Sequence, residues 1–255
     1  MRNIRLLLEY DGAGFAGWQL QVAHRTVEAE LRRAIRDVTG EQVKLYAAGR
    51  TDAGAHAEGQ VANFHYAGRL TTRRLTAALN ARLPPDVAVL RVDEAPPDFH
   101  ARYSARWRHY RYRYLDRPAR PALDRDCCWH LPGPLDVDAM AAAAAPLAGR
   151  HDWTTFCTAS EPAQDRVRTL REARVRRHGR FVELDLLGEG FLRGMVRGIA
   201  GALADVGLGR RPPAAVGEIL AARDRRLASR TAPAGGLTLV EVLYEDSDAV
   251  YSSGP

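Results

Sequence analysis

Two rhythms of hydrophobicity alternate along this chain, and together they confine it to a mixed architecture. Residues 3–10 (NIRLLLEY) form a short apolar run of strand character. Residues 26–38 (TVEAELRRAIRDV) place Val27, Leu31, Ala34, Ile35 and Val38 on one helical face, with Thr26 as N-cap and Gly40 as stop. Strand character returns at 42–48 and 59–66, helical character at 71–81 ahead of Pro84 and Pro85, and a strand at 87–92. The order then begins again. A strand-like ARWRHYRYRYL starts near residue 105, and a proline-rich connection and a helix over 136–148 follow it. Strands at 169–178 and 180–187, helices at 191–206 and 213–222, and a strand at 237–244 complete the second unit. Two similar α/β units follow from that order, although no sequence repeat relates them.

Composition narrows the function classes. Thirty-seven Lys and Arg against 31 Asp and Glu give a net charge of +6 and a pI near 9.5, which favours a polyanionic partner. Nearly all of that positive charge is arginine, since Lys44 is the chain's one lysine. Cys127, Cys128 and Cys157 make no CxxC spacing, which points to a reduced, cytoplasmic protein without a structural metal. The apolar stretch from Ile4 to Leu8 contains Arg5 and runs into Glu9. It is too short for a signal peptide or a membrane span.

The densest chemical signal is Ala48-Gly49-Arg50-Thr51-Asp52-Ala53-Gly54-Ala55-His56-Ala57, a loop between two predicted strands. Glycine opens backbone conformations closed to other residues, so such a loop can hold a carboxylate at a set angle. Arg50 would supply its cationic, hydrogen-bonding partner. On local spacing alone, a tight turn with a surface ion pair is the better explanation of the segment.

The wider pattern resolves the choice. GRTDAG followed by His56 resembles the catalytic signature of the TruA family of tRNA pseudouridine synthases. EYDGAGFAGWQ (9–19), PPDFHARYSA (96–105), RHYRYRY (108–114), FLRGMVRGIAG (191–201) and RTAPAGGLTLVEVLY (230–244) are similar, in order, to further family motifs. The resemblance implies that Asp52 is the catalytic aspartate and Arg50 its partner. Tyr110 matches the family's active-site tyrosine, and Arg197 an arginine that approaches the catalytic centre. Leu237 and Leu239 match apolar residues lining the uracil pocket, and His100 and Arg102 match a segment that contacts tRNA. The implied fold is α+β: two ferredoxin-like (RRM-like) halves, 1–104 and 105–247, with a tail at 248–255. These halves share one extended, mainly antiparallel sheet with the active cleft between them. A homodimer acting on uridines 38, 39 and 40 of the tRNA anticodon stem-loop is implied as well.

Elementary geometry adds detail. In an extended strand, Arg106, Arg108, Tyr110, Tyr112 and Tyr114 share one face, and Trp107, His109, Arg111 and Arg113 the other. Either face mixes cations with rings, which suits RNA, so Arg108 and Arg111 are candidate RNA contacts. A helix over 191–206 would pair Arg193 with Arg197 at i, i+4, a mild repulsion that a bound anion would relieve. Pseudouridine formation moves no electrons, so no redox cofactor is required, and a carboxylate beside the anomeric carbon suits the sugar chemistry. Asp52 would either attack that carbon or remove a ribose proton. The competing readings are an inactive RNA-binding module and a carboxylate hydrolase of nucleosides. The intact loop speaks against the module, and the lack of a second carboxylate near Asp52 against the hydrolase.

Overall fold

The computed structural model describes residues 1–158 and 166–244, so the expected tail at 248–255 lies outside the described residues. The first half runs β1 (Arg2–Tyr10), α1 (Val27–Thr39), β2 (Tyr46–Ala47), β3 (His56–Tyr66), α2 (Thr72–Asn80) and β4 (Val87–Ala95). The second runs β5 (Trp107–Asp116), β6 (Trp129–Leu131), α3 (Val137–Ala144), β7 (Gly149–Asp152), β8 (Val167–His178), β9 (Phe181–Gly188), α4 (Met195–Gly207), α5 (Ala214–Ala222) and β10 (Leu237–Leu243). All ten strands join one sheet, with the path β4-β1-β3-β10-β5-β9-β8-β7, β2 beside β3 and β6 beside β5.

Each half repeats one topology. In the first, β4-β1-β3-β2 is a fourth-first-third-second order, and in the second β10-β5-β9-β8 has the same order. That is the ferredoxin-like arrangement, and every strand pair is antiparallel except β3 with β10 and β5 with β6. The seam between the halves is the β3–β10 pair, where Thr238 faces His56 and Leu239 faces Ala57.

The seam explains where elements depart from their sequence pattern. The strand expected over 42–48 shrinks to Tyr46–Ala47 because β10 takes the next stretch of the same edge of β3. For the same reason β3 starts at His56 rather than at 59. The helix expected from 191 begins at Met195, because Gly194 is left-handed at φ +75 and cannot propagate a helical turn. Elsewhere local chemistry carries through. The Thr26 hydroxyl caps α1 by accepting from the Ala29 N–H at 3.3 Å, and left-handed Gly40 ends that helix.

Ile4, Leu6 and Leu8 of β1 and Leu31, Ile35, Leu75 and Leu79 of α1 and α2 are fully buried, as are Met195, Ile199 and Leu203 of α4. Helix α4 lies close against the chain that precedes β10. A methyl group at Gly201 would stand 1.9 Å from the Arg230 carbonyl oxygen, so no larger residue fits there without moving backbone. Gly201→Ala is therefore expected to cost about 1–3 kcal/mol. Urea unfolding would read it as a lower midpoint at unchanged slope, and an unchanged midpoint would show that the contact yields freely.

Candidate active site

Residues 49–55 link β2 to β3, and the segment after β1 clamps them by backbone hydrogen bonds. The Trp18 N–H donates to the Thr51 carbonyl, and the Gly54 N–H to the Phe15 carbonyl, both at 3.1 Å. The Ala55 N–H closes the turn on the Asp52 carbonyl at 3.1 Å. Gly54 and Gly17 have φ of +81 and +93, and a methyl group at Gly12 would meet the Ala55 carbonyl at 1.9 Å. Two glycine-rich loops thus press on one another, and the resulting close fit fixes the turn that carries Asp52.

A buried polar network holds the same loop from behind. The Tyr10 hydroxyl lies 2.8 Å from Thr51 Oγ1, and Gln60 donates to the Gly49 carbonyl at 2.9 Å and weakly to Tyr10 at 3.4 Å. Burial pushes the Tyr10 pKa up to about 12, so its hydroxyl stays protonated and able to donate. His56 is also structural. Its Nδ1 accepts from the Gly12 N–H at 3.1 Å, which leaves the proton on Nε2 to donate to the Asp126 carbonyl at 2.8 Å. Trp18, in the segment that clamps the loop, is a core residue.

Asp52 is the one acidic side chain of this loop, and its cationic partner comes from the other half. Arg197, in the first turn of α4, donates from Nη1 to Asp52 Oδ2 at 3.0 Å. Its Nε donates to the Ala232 carbonyl at 2.7 Å, while the Ala232 N–H returns a bond to the Arg197 carbonyl at 3.0 Å. The two charged side chains are 22% and 24% exposed, so the pair is sheltered yet reachable. This corrects the sequence expectation for Arg50. That side chain is exposed and, among the described residues, forms no ion pair or hydrogen bond.

Tyr110 in β5 stands beside the pair. Its ring meets Phe191 edge-on at 4.8 Å, and Phe191 serves there rather than as part of α4. The ring is almost entirely buried, burial raises its pKa, and its hydroxyl has no hydrogen-bond partner among the described residues. A methyl group at Gly49 would lie 3.3 Å from that hydroxyl, so the tyrosine sits against the start of the Asp52 loop. Leu239 pairs with Tyr110 and Leu237 with Tyr112 across β10 and β5, and both leucines are buried.

Two arginines expected at RNA are placed differently. Arg108 is buried, and its terminal nitrogens donate to the carbonyls of Ala48, Arg102, Ala105 and Glu189, so its charge is spent on backbone. Arg111 lies on the sheet face away from Tyr110, paired with Asp185 at 3.1 Å and Glu183 at 3.5 Å. Arg193 precedes α4 instead of sharing a helical face with Arg197, and its carbonyl accepts from the Thr158 N–H. His100 and Arg102 occupy the connection between β4 and β5.

A carboxylate and a guanidinium from opposite halves thus meet at the seam, beside a buried tyrosine. Comparison with known proteins identifies the family. A family model described as tRNA pseudouridine synthase matches residues 7–104 and 143–245. The chain belongs to the tRNA pseudouridine synthase family. Among its relatives, tRNA pseudouridine synthase A of Geobacillus kaustophilus (strain HTA426) is 44% identical over 253 residues, 98% of each chain. The enzyme of the same name from Moorella thermoacetica (strain ATCC 39073 / JCM 9320) is 45% identical, over 96% of this chain and all of that one. A solved chain of a Cbf5-Nop10-Gar1 complex is 12% identical, with a TM-score of 0.35 over 79% of this chain and 54% of that one. As a tRNA pseudouridine synthase, the protein is an isomerase.

The residues that sequence reasoning missed are those behind the loop. Thr51 lies inside the recognised motif and Gln60 just after it, but nothing in the local pattern links them to Tyr10 some forty residues earlier. Thr51→Val keeps the shape and removes the hydroxyl that Tyr10 engages. Turnover is expected to fall roughly 10- to 100-fold, through small displacement of Asp52. Thr51→Ser should restore most of it, and a valine variant as fast as wild type would show that the network is ornamental to catalysis.

Proposed function

We propose that this isomerase acts on uridines of the tRNA anticodon stem-loop, at positions 38, 39 and 40, with Asp52 as its essential carboxylate. The observation that carries the reading is the Asp52–Arg197 pair, set at the seam beside Tyr110. The target uridine must leave the stack before a group at the seam can touch its sugar. Tyr110, Leu237 and Leu239 then present a largely apolar wall to the uracil. Asp52 works at the ribose, by attack on the anomeric carbon or by removal of a ribose proton. In either route the N1–C1′ bond breaks, the uracil turns, and C5 bonds to the same carbon. The C5 proton leaves and N1 gains one, so the product is an isomer and electrons balance. Arg197 holds the carboxylate in place through that cycle, itself anchored by the Ala232 carbonyl. Arg50 and Arg193, both exposed, serve the RNA phosphates.

The family resemblance also supports a cytoplasmic homodimer in which one tRNA touches both subunits. Sedimentation of the free protein should give twice the 28.1 kDa chain mass, and a monomer with full activity would refute it.

Asp52→Asn is expected to abolish pseudouridine formation while changing tRNA affinity less than about twofold, because the substitution preserves shape and removes the reacting charge. Position-resolved mapping of pseudouridine on tRNA checks the loss of product and the target positions, and a binding titration checks the affinity. Product in the variant would dismiss Asp52, and product elsewhere in the tRNA would dismiss the anticodon assignment. Binding should also weaken steeply with salt, as counterions released from phosphates are paid back. A flat dependence from low to moderate salt would count against phosphate contacts.

A further inference from the structure

We propose that an exposed aromatic ladder beside the catalytic loop, Tyr46–His100–Tyr103, is a stacking platform for an unpaired base of the tRNA, with Lys44 and Arg102 holding the phosphates on either side. The proposal rests on the reading of the protein as a tRNA-modifying isomerase, and it names a contact outside the uridine site.

The three rings touch in series, with planes tilted by 52° between Tyr46 and His100 and by 36° between His100 and Tyr103. Tyr46 and His100 are 4.6 Å apart between ring centres, and His100 and Tyr103 are 4.4 Å apart. A cation lies near each end. Lys44 Nζ stands 5.1 Å from the Tyr46 ring, and the Arg102 guanidinium 5.6 Å from the Tyr103 ring. The chain's single lysine is therefore spent here. Tyr103 is 77% exposed, which is unusual for a large ring.

Hydrogen bonds within the turn hold the platform together. The Ser104 hydroxyl accepts from the His100 N–H at 3.0 Å, and the Ser104 N–H donates back to the His100 carbonyl at 2.9 Å. His100 Nδ1 accepts from the N–H groups of Arg102 and Tyr103, at 3.1 and 3.3 Å. That fixes the proton on Nε2, which has no hydrogen-bond partner among the described residues. Partial burial lowers the pKa of His100, in keeping with a neutral ring that stacks and donates. Ala101 is fully buried, and its N–H donates to Asn63 Oδ1 at 2.9 Å. A single nitrogen, Arg108 Nη2, then joins this turn to the catalytic loop by donating to both the Arg102 and Ala48 carbonyls. The buried arginine thus has a use: it locks the ladder to the strand that leads into Asp52.

Charge and shape together select the occupant. A protein partner would cover an exposed tyrosine with apolar side chains and gain nothing from cations near both ends of the ladder. A nucleotide offers a flat ring for the tyrosine and a phosphate on each side for Lys44 and Arg102. Stacking of this kind tolerates any base, which suits an enzyme that meets more than one sequence.

The test uses the full-length enzyme and an unmodified tRNA transcript. Tyr103→Ala is expected to raise both Kd and KM roughly 5- to 150-fold. Tyr103→Phe and Tyr103→Trp, which keep a ring, should stay within about twofold of wild type. Lys44→Ala and Arg102→Ala should each lower the salt slope of binding by about one. An alanine variant with wild-type Kd, or with a fall in kcat at unchanged Kd, would overturn the platform. So would a Tyr103→Ala enzyme whose sedimentation differs from wild type, which would assign the ladder to a subunit contact. A wild-type protein that binds tRNA and forms no pseudouridine would defeat the proposed function instead, leaving the platform to be judged on binding alone.

Discussion

The strand formed last along the chain, β10, is the piece on which the rest depends. It lies parallel to β3 and antiparallel to β5, and so sews the two halves into one sheet. Parallel pairing needs a long connection, and here the connection is nearly the whole second half. The consequence for the site is direct. The loop that carries Asp52 leads into β3, Tyr110 lies on β5, and β10 sits between these two strands. The spacing between carboxylate and tyrosine is therefore set by sheet geometry rather than by flexible segments.

The ion pair across the seam follows from that arrangement. Asp52 and Arg197 are 145 residues apart, yet their side chains meet at 3.0 Å. Each partner is separately braced, the carboxylate by a loop pinned at both glycine-rich ends and the arginine by Ala232. A charged pair that is partly removed from water loses hydration, and extra hydrogen bonds offset the loss. Here the supporting bonds are backbone carbonyls and N–H groups, which do not rotate away when substrate enters. Gly201 serves the same end, since a larger residue would push the 230–232 segment off α4 and carry Ala232 with it.

Polar groups taken into the interior elsewhere are put to structural use. Arg108 satisfies four carbonyls where several chain segments converge, and Tyr112 and Tyr114 direct their hydroxyls to the carbonyls of Pro233 and Ala200. On the opposite sheet face, Glu183 and Asp185 are buried beneath Arg111, Arg113, Arg176 and His109. A strand that looks uniformly like RNA-binding surface thus divides its labour. One face supplies the cleft tyrosine and core rings, and the other neutralises carboxylates within the sheet.

What the sequence determined by itself was local. Period and punctuation placed the helices and most strands, because an apolar stripe at 3.6 residues, Thr26 ahead of α1 and Gly40 after it act over a few residues. The ordered motifs named the family, and with it Asp52, Tyr110 and Arg197. Tertiary structure alone decided which cation meets Asp52, which arginines stay exposed and which are consumed inside, and why β2 is two residues long. Those outcomes turn on how strands from distant parts of the chain share an edge. Side-chain alternation says that Arg108 and Tyr110 are on one face, but only packing says that one is walled in by carbonyls while the other borders a cleft.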